Sequence, residues 1–268
     1  MRALDRPAKR LVARSFGMAA TTYDAVAGLQ RSVGNGLLAK LAPSVRPRRV
    51  LDVGAGTGYF SLALAHRFPE AQVLALDIAE GMLRQARQRF PGACIVADAE
   101  ALPLASASVD ILFCNLAIQW SSCLRTTFAE FRRVLRPGGQ LLFSTLGSGT
   151  LRELREAWAE VDGHTHVNEF ADIAMVTSCL EAAGWPCADL HGECRRLDYP
   201  DVMSLMRELK RLGARNLTPD RPRHLTGKST LARMVAAYPV SQAGDRAEVV
   251  ASFEVIAGSI WLREAIPA

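Results

Sequence analysis

The sequence predicts an α/β fold with a doubly wound, mostly parallel sheet. Apolar strand-like runs alternate with helical segments up to Leu146, which is the pattern of successive β–α–β units. The first of these runs, 50–53, leads directly into a glycine-rich turn and a helix-forming segment. The 268 residues are 49% hydrophobic, enough for one core of ordinary size. We therefore expect residues 1–268 to form a single domain.

The turn after the first strand is the most informative segment of the chain. Residues 50–58 read VLDVGAGTG, with glycines at three alternate positions. Gly54, Gly56 and Gly58 lack a Cβ atom, so the backbone can take strained angles and approach a ligand closely. The spacing G-x-G-x-G differs from the G-x-G-x-x-G of dinucleotide sites. It favours S-adenosylmethionine (SAM), which has no phosphate; a tight turn that binds nothing is the alternative.

The next three predicted strands each end in a polar residue. These are Asp77 after 73–77, Asp98 after 94–98 and Asn115 after 110–115. Open α/β sheets bind ligands at the carboxyl ends of their strands, so the three side chains should share one edge. Asp77 lies 23 residues after Gly54, close to the ~20 expected of a carboxylate that binds ribose hydroxyls. One such acid is more often a helix cap, but the series favours a SAM site.

These segments resemble, in order, the motifs of class I SAM-dependent methyltransferases. The resemblance covers about residues 45–185 and includes VLDVGAGTG, Asp77, DAEALPL (98–104), VDILFCNLAIQW (109–120) and FRRVLRPGGQLLFSTL (131–146). It implies a seven-stranded Rossmann-like sheet in which the extended segments 188–197 and 248–262 are the sixth and seventh strands. The seventh strand would run antiparallel.

The glycine loop, the strand ends and the resemblance together predict a cofactor site. The three loop glycines would line the methionine end of SAM, Asp77 would hold the ribose, Asp98 would meet the adenine, and Asn115 would lie below the cofactor. The complete predicted set is Asp52, Gly54, Ala55, Gly56, Gly58, Asp77, Ile78, Met82, Asp98, Ala99 and Asn115.

Helical segments surround the predicted sheet. We expect N-terminal cap helices at about 8–40, a helix ended by the PGG at 137–139, and helices at 151–161 and 170–183. About fifty residues separate the last two strands, too many for a hairpin turn. This insertion, at about 199–240, should lie over the carboxyl edge as a helical lid. The N-terminal helix should close the opposite side.

The insertion carries a one-sided basic helix. Arg207, Arg211 and Arg215 recur every four residues away from its apolar face, and Lys210 lies between the two faces. The net charge is +5, but aromatic residues are only 7% and no nucleic-acid motif occurs, so we expect no nucleic-acid partner. An acidic protein partner explains the charge equally well, and an ordinary solvated helix face is the alternative.

Composition argues against several other classes. No apolar run approaches the ~20 residues that cross a bilayer, and the basic N-terminus lacks the apolar stretch of a secretory signal; a transit peptide is the less favoured alternative. Six cysteines without a C-x-x-C pair are typical of a reduced, cytoplasmic protein. Asp162, His164 and His166 have no companion ligands, so we expect a solvated loop and no metal. We expect a monomer.

Four segments resemble a narrower family. Residues 16–30, 115–120, 143–158 and 209–216 look like the BioC family, the malonyl-acyl-carrier-protein O-methyltransferases of biotin synthesis, over nearly the whole chain. NLAIQW and LKRLGA discriminate best, because SAM binding requires neither; the tract 221–228 matches no family pattern. The family methylates the free carboxylate of a malonyl thioester. The resemblance therefore implies SAM as cosubstrate and an acidic acyl carrier protein as partner.

This reaction predicts few catalytic side chains. A carboxylate with a pKa near ~3–4 is already ionised and needs no general base. Charge is lost as the anion attacks the sulfonium, so the site should exclude water and offer few donors. Tyr23 is the first candidate donor, and its ring could face the sulfonium. Lys210 and Arg152 are weaker candidates for the second oxygen or the thioester carbonyl.

Two other functions remain open from the sequence. The chain could methylate another small acid, or a quinone or phenol hydroxyl. It could also be a SAM-binding subunit that activates a partner and catalyses nothing. A phenol enzyme usually needs a base, and we expect no histidine or glutamate near the site.

Overall fold

The computed structural model describes residues 7–41, 45–186, 189–218, 226–243 and 246–262. The strands are β1 (Arg49–Val53), β2 (Gln72–Asp77), β3 (Ala93–Val96), β4 (Val109–Cys114), β5 (Leu135–Leu146), β6 (Leu190–Tyr199), β7 (Val240–Ala243) and β8 (Arg246–Trp261). The helices are α1 (Lys9–Tyr23), α2 (Gly28–Ala39), α3 (Tyr59–Arg67), α4 (Glu80–Ala86), α5 (Leu124–Val134), α6 (Arg152–Ala159), α7 (Ile173–Ala182), α8 (Val202–Leu212) and α9 (Lys228–Ala237).

The strands form one sheet in the order β3-β2-β1-β4-β5-β8-β6. The pairs from β3 to β5 are parallel, and β8 runs antiparallel to both β5 and β6. The predicted doubly wound, mostly parallel sheet with an antiparallel last strand is therefore confirmed. The order reverses between β1 and β4, the switch point at which such sheets bind ligands.

The sheet has one strand more than the seven predicted. β7 pairs antiparallel with the start of β8, from Ala243 opposite Arg246 to Val240 opposite Val249. The end of the insertion thus returns to the sheet as a short hairpin strand. Four residues after a helix are too few to show a strand period in the sequence.

The PGG motif does not end a helix. α5 ends at Val134, and Leu135 is already extended, with φ −76° and ψ 137°. The motif lies within β5, where the register against β4 shifts between Val109 and Ile111, so it occupies a β-bulge. Arg136 accordingly lies on a strand, where it donates to Asp110 at 2.6 Å.

α1 lies across the carboxyl edge and joins two other elements. It crosses α4 in backbone contact, because a Cβ on Gly81 would lie 2.6 Å from the carbonyl oxygen of Gly17. On its other side, Ser15 donates to the carbonyl of Gly213 and Thr22 to that of Arg211, both at 2.9 Å. The sequence predicted that the N-terminal helix closes the side opposite the insertion. Instead, α1 is hydrogen-bonded to the insertion.

Buried side chains cover both faces of the sheet. α2, α3 and α4 pack on one face and α5 and α7 on the other. A further cluster joins α6, α8 and α9 to β6 and β8, with Trp158, Leu205, Met234 and Phe253 among its members. This cluster packs the described helices of the insertion against α6, β6 and β8. Within the described residues, no helix is long and apolar enough to span a bilayer.

Candidate active site

A cavity opens at the carboxyl edge of β1, β2 and β4, beneath α1; we call it the cofactor cavity. Val53, Leu76 and Cys114 line it from the strand ends, and Phe16 and Tyr23 line it from α1. It holds about 790 Å³ of space, its open mouth included. Of the predicted set, it is lined by Gly54, Gly56, Asp77, Ile78, Met82, Asp98, Ala99 and Asn115.

The three loop glycines have left-handed backbones for different reasons. Gly54 (φ 71°) and Gly56 (φ 54°) line the cofactor cavity, and Gly56 has open space where a Cβ would point. Gly58 (φ 79°) lines none of the described cavities. A Cβ at this position would sit 2.9 Å from the Cβ of Ala86 on α4. Gly58 thus allows close helix packing rather than ligand contact.

Asp77 connects the loop to the start of α4. Its Oδ2 accepts from the Gly56 N–H at 2.9 Å and its Oδ1 from the Ala79 N–H at 2.7 Å. Burial raises the pKa of Asp77, while the N–H groups of Ala79 and Gly56 favour its charged form. A carboxylate has about four acceptor positions, so both oxygens keep capacity for a ligand. Capping and ribose binding are therefore compatible at this residue.

Asp98 is paired with a lysine that the sequence analysis missed. Lys9, at the start of α1, forms ion pairs with Asp98 and with Glu100, the latter at 2.9 Å. Burial acts to lower the pKa of Lys9, but the two carboxylates raise it above its ordinary value. Lys9 also lines the cofactor cavity. Its partner is 89 residues away, and no local pattern indicates such a pair.

A smaller polar cavity adjoins the glycine loop and is lined by Asp52, Ala55 and Arg31. Asp52 accepts from the Ser61 hydroxyl at 2.6 Å, and burial raises its pKa to about 7. Arg31 lies over the Tyr59 ring at 5.0 Å, and its buried Nε has no partner among the described residues. A carboxyl and a guanidinium facing one cavity fit the two charges of an amino-acid group. Arg31 was missed because it lies on α2, outside any recognised motif.

Asn115 and Leu116 hold the end of β4 in place. The Asn115 amide donates to the carbonyl of Gln30 on α2, and its oxygen accepts from Ser144, both at 2.9 Å. Leu116 has a left-handed backbone (φ 46°), and its N–H donates to the Ser144 hydroxyl at 3.0 Å. A non-glycine residue in this region carries about 1–3 kcal/mol of strain, often at functional sites. Asn115 therefore ties the N-terminal helices to the cavity edge.

Tyr23 lines both the cofactor cavity and the polar cavity. It packs with Ala20, Ala79 and Met82, and none of the described residues hydrogen-bonds its hydroxyl. Burial raises the pKa of Tyr23, and the charges of Asp77 and Asp24 raise it further. The hydroxyl therefore stays protonated at neutral pH and can donate to an anion.

A second cavity lies under the insertion; we call it the acyl cavity. It holds about 1,220 Å³ with its mouth included, and its walls come from α6, α8, residues 166–170 and Phe253. Lys210, Arg215 and Asn168 contribute polar atoms to its lining. In the described part of the chain, Trp120 is the one residue that lines this cavity and the cofactor cavity alike.

His166 lies in the wall of the acyl cavity, whereas the sequence predicted a solvated loop here and no histidine near the site. Its ring stacks on Trp158 with centroids 3.7 Å apart and 5° between planes, and its Nε2 lies 2.9 Å from Asp162 Oδ1. The stacking partner, eight residues earlier on α6, gives no signal in the loop itself. No group of possible metal ligands occurs within the described residues.

Two of the candidate substrate residues differ in position. Lys210 borders the acyl cavity. Arg152 lies on the first turn of α6, more than half exposed, and pairs with Glu153 at 3.2 Å. It lines neither of the two cavities, because the apolar side of α6 turns Leu154 and Trp158 inward instead. The structure therefore does not bring Arg152 to the site.

The basic helix face is shorter than predicted. α8 ends at Leu212, and Gly213 is a left-handed cap with φ 78°, so Arg215 lies beyond the helix, at the acyl cavity. Asn168 donates to the carbonyl of Arg215 at 2.9 Å and accepts from the N–H of Leu217 at 3.0 Å. Arg207 and Arg211 remain exposed on α8. Most of the tract 221–228 lies outside the described residues.

Comparisons with known proteins agree with this geometry. The family model described as "Methyltransferase domain" matches residues 51–143. The malonyl-[acyl-carrier protein] O-methyltransferase of Methylococcus capsulatus is 54% identical over 259 residues, covering 94% of this chain and 93% of that protein. The chain belongs to the malonyl-[acyl-carrier protein] O-methyltransferase family. The predicted resemblance to this family is therefore confirmed.

One further relative and two solved structures are also similar to this malonyl-[acyl-carrier protein] O-methyltransferase family member. The biotin biosynthesis bifunctional protein BioHC of Cellvibrio japonicus is 46% identical over 86% of this chain, which spans 46% of that longer protein. The fold matches YcgJ of Bacillus subtilis (TM-score 0.59, 19% identity, 88% and 99% of the chains). It equally matches the [4+2]-cyclase SpnF (TM-score 0.59, 15% identity, 99% and 100%). These structures show the fold alone, since a cyclase shares it.

Proposed function

We propose that this chain transfers the methyl group of SAM to the free carboxylate of malonyl-acyl carrier protein. The observation that carries the proposal is that two cavities share Trp120 in their linings, in a chain 54% identical to a protein of that name. One cavity has the strand-end acids and glycine loop of a nucleoside site. The other is mostly apolar and bordered by cationic side chains.

In this proposal the cofactor cavity holds the adenosyl part of SAM. Asp77 binds the ribose hydroxyls, and Asp98 and Ala99 meet the adenine. Gly54 and Gly56 let the backbone approach the methionine part. The amino-acid end extends into the polar cavity, where Asp52 suits its ammonium and Arg31 its carboxylate.

The methyl transfer itself needs little help from acids or bases. A malonyl carboxylate oxygen forms a bond to the methyl carbon as the carbon–sulfur bond breaks and its electron pair returns to sulfur. The products are the methyl ester and S-adenosylhomocysteine. Because the carboxylate is already ionised, no proton has to move. Tyr23 donates one hydrogen bond that orients the carboxylate without pairing it with a full charge.

The carrier protein would approach along the exposed side of α8. Arg207 and Arg211 project from that helix, and Arg215 stands at the acyl cavity beside it. Acyl carrier proteins are acidic, so these charges would steer association. The thioester arm would then enter the acyl cavity past Lys210 and reach Trp120.

The direct test is to mix purified protein with SAM and a panel of acceptors: malonyl-acyl carrier protein, malonyl-coenzyme A, other small acids and a quinol. We expect methyl ester on the malonyl thioesters alone. Ester on another acid or methylation of the quinol would favour the alternative enzymes. SAM binding without any methylated product would favour a non-catalytic subunit.

The role of Tyr23 is tested by Tyr23→Phe at saturating SAM. Losing the hydrogen bond that binds and orients the carboxylate costs about 1.5–3 kcal/mol, so we expect a roughly ten- to hundredfold lower kcat/KM for the malonyl substrate with SAM binding nearly unchanged. Tyr238→Phe is the matched control, because that hydroxyl donates to the Val250 carbonyl at 2.9 Å, away from the cofactor cavity. The rate should also stay flat between about pH 6 and 8. A steep rise there, or full activity of Tyr23→Phe, would contradict this mechanism.

A further inference from the structure

We infer that Trp120 sets the length of the diacid that the enzyme methylates. The inference rests on the proposed function, because it concerns the acid that enters the acyl cavity. The segment NLAIQW (115–120) is one of those that best identify the narrower family, although SAM binding does not require it. The position of its tryptophan at the junction of the two cavities gives that motif a role.

Trp120 is held through its backbone by a short turn and through its ring by a contact with α1. It stands at the end of a short 3₁₀ turn, Ile118–Trp120, whose Trp120 N–H donates to the Ala117 carbonyl at 3.1 Å. The preceding residue, Gln119, is buried and donates to the Leu116 carbonyl at 2.8 Å. The ring itself packs edge-to-face with Phe16 of α1, with centroids 5.2 Å apart. These contacts fix the backbone of Trp120 and support its ring on the α1 side, so the ring can form a wall between the two cavities.

A wall at this junction limits how far an acid can extend. In-line attack requires the carboxylate oxygen within about 3–3.5 Å of the methyl carbon. In the proposed function, the thioester lies on the acyl-cavity side of Trp120 and the methyl group on the cofactor side. The number of methylenes between the two carbonyl carbons therefore decides whether the carboxylate fits next to the methyl group. A longer acid would have to bend, or its thioester would have to move back into the acyl cavity.

A malonyl group has one such methylene, a succinyl group two and a glutaryl group three. An extra methylene in a pocket of fixed size is worth about 10- to 200-fold in kcat/KM. We therefore expect the enzyme to prefer malonyl over succinyl by that order, and over glutaryl by at least as much. The preference would come from the volume of the indole ring. A smaller side chain at position 120 would leave space that a longer acid could occupy.

The experiment compares malonyl, succinyl and glutaryl groups on the same acyl carrier protein, using kcat/KM for each. Trp120→Phe and Trp120→Ala should reduce the malonyl-to-succinyl ratio, the alanine variant by at least tenfold, with the dissociation constant for SAM changed less than threefold. Trp158→Phe is the matched control, since Trp158 lines the acyl cavity but not the cofactor cavity. It should lower activity on all three acids by a similar factor.

The outcomes separate this inference from the proposed function. If the parent enzyme methylates malonyl groups and the Trp120 variants lose activity equally on all acids, the inference is overturned and the function stands. The same holds if the parent does not discriminate, or if Trp158→Phe changes the ratio as much. If the parent methylates no acid at all, both fail. Trp120→Phe keeps an aromatic ring against Phe16, so it provides the ratio if the alanine variant does not fold.

Discussion

The two cavities are built in different ways. The cofactor cavity takes its lining from the ends of β1, β2 and β4, from the loops that follow them and β3, and from α1. The acyl cavity draws on α2, α6, α8, residues 166–170 and β8, which are spread over most of the chain. The first site is a property of consecutive strand–turn–helix units. The second exists only after distant segments have packed together, so substrate preference can change there without disturbing the cofactor site.

The largest expected effect tests whether the cofactor cavity works independently. Asp77→Ala leaves ribose hydroxyls unpaired, which should cost about 1.5–3 kcal/mol, or about ten- to hundredfold in SAM affinity by calorimetry. Asp172→Ala is the control, because Asp172 caps α7 by accepting from the Met175 N–H at 2.7 Å and lines no described cavity. Unchanged SAM affinity in a folded Asp77→Ala protein would reduce this acid to a helix cap.

Several residues at the edge of the cofactor cavity were located from the sequence, because this cavity is built from consecutive strand–turn–helix units. Asp77, Asp98 and Asn115 each follow an apolar run, so their edge position is readable from the strand period. Lys9 and Arg31 were not found, because each lies just outside the family-like segment 16–30, on α1 and α2 respectively. In the acyl cavity His166 was missed and Arg152 misplaced, since stacking on Trp158 and the rotation of α6 depend on tertiary packing.

A second prediction concerns the buried acid at the end of β1. Burial raises the pKa of Asp52 to about 7, far above that of an exposed aspartate. The folded protein then holds a proton that the unfolded chain has lost, so the contribution of Asp52 to the free energy of unfolding decreases as pH rises from about 4 to about 7. Asp52→Asn has no carboxyl group to titrate, so it does not undergo this loss. The free energy of unfolding of the variant minus that of the parent should therefore increase by about 2–3 kcal/mol from pH 5 to pH 8.

Urea denaturation at the two pH values, without SAM, measures this difference. Asp110→Asn is the control, because the pKa of Asp110 is lowered: burial acts to raise it, but the Arg136 guanidinium and the N–H groups of Arg49 and Arg48 outweigh burial. That carboxylate is ionised in both states above about pH 5, so its variant should show a constant offset. Parallel curves for Asp52→Asn and the parent would mean that Asp52 does not titrate in this range.

The smallest expected effect lies at the rim of the acyl cavity. Reversing Arg207 and Arg211 to Glu should lower kcat/KM on malonyl-acyl carrier protein by roughly tenfold, because such charges steer association. Activity on malonyl-coenzyme A should change far less, and added salt should narrow the gap. Arg84→Glu on α4 is the control, since its side chain is 67% exposed, the same as that of Arg207. Equal losses on both substrates would count against carrier docking.

The position of α1 has a consequence for how the two ligands bind. Through Phe16 and Tyr23 it covers the cofactor cavity, and through Ser15 and Thr22 it is hydrogen-bonded to the end of α8. A carrier protein seated on α8 would contact the helix to which α1 is hydrogen-bonded. Binding of the carrier and exchange of the nucleoside would then be coupled through α1, although the two ligands enter from different cavities.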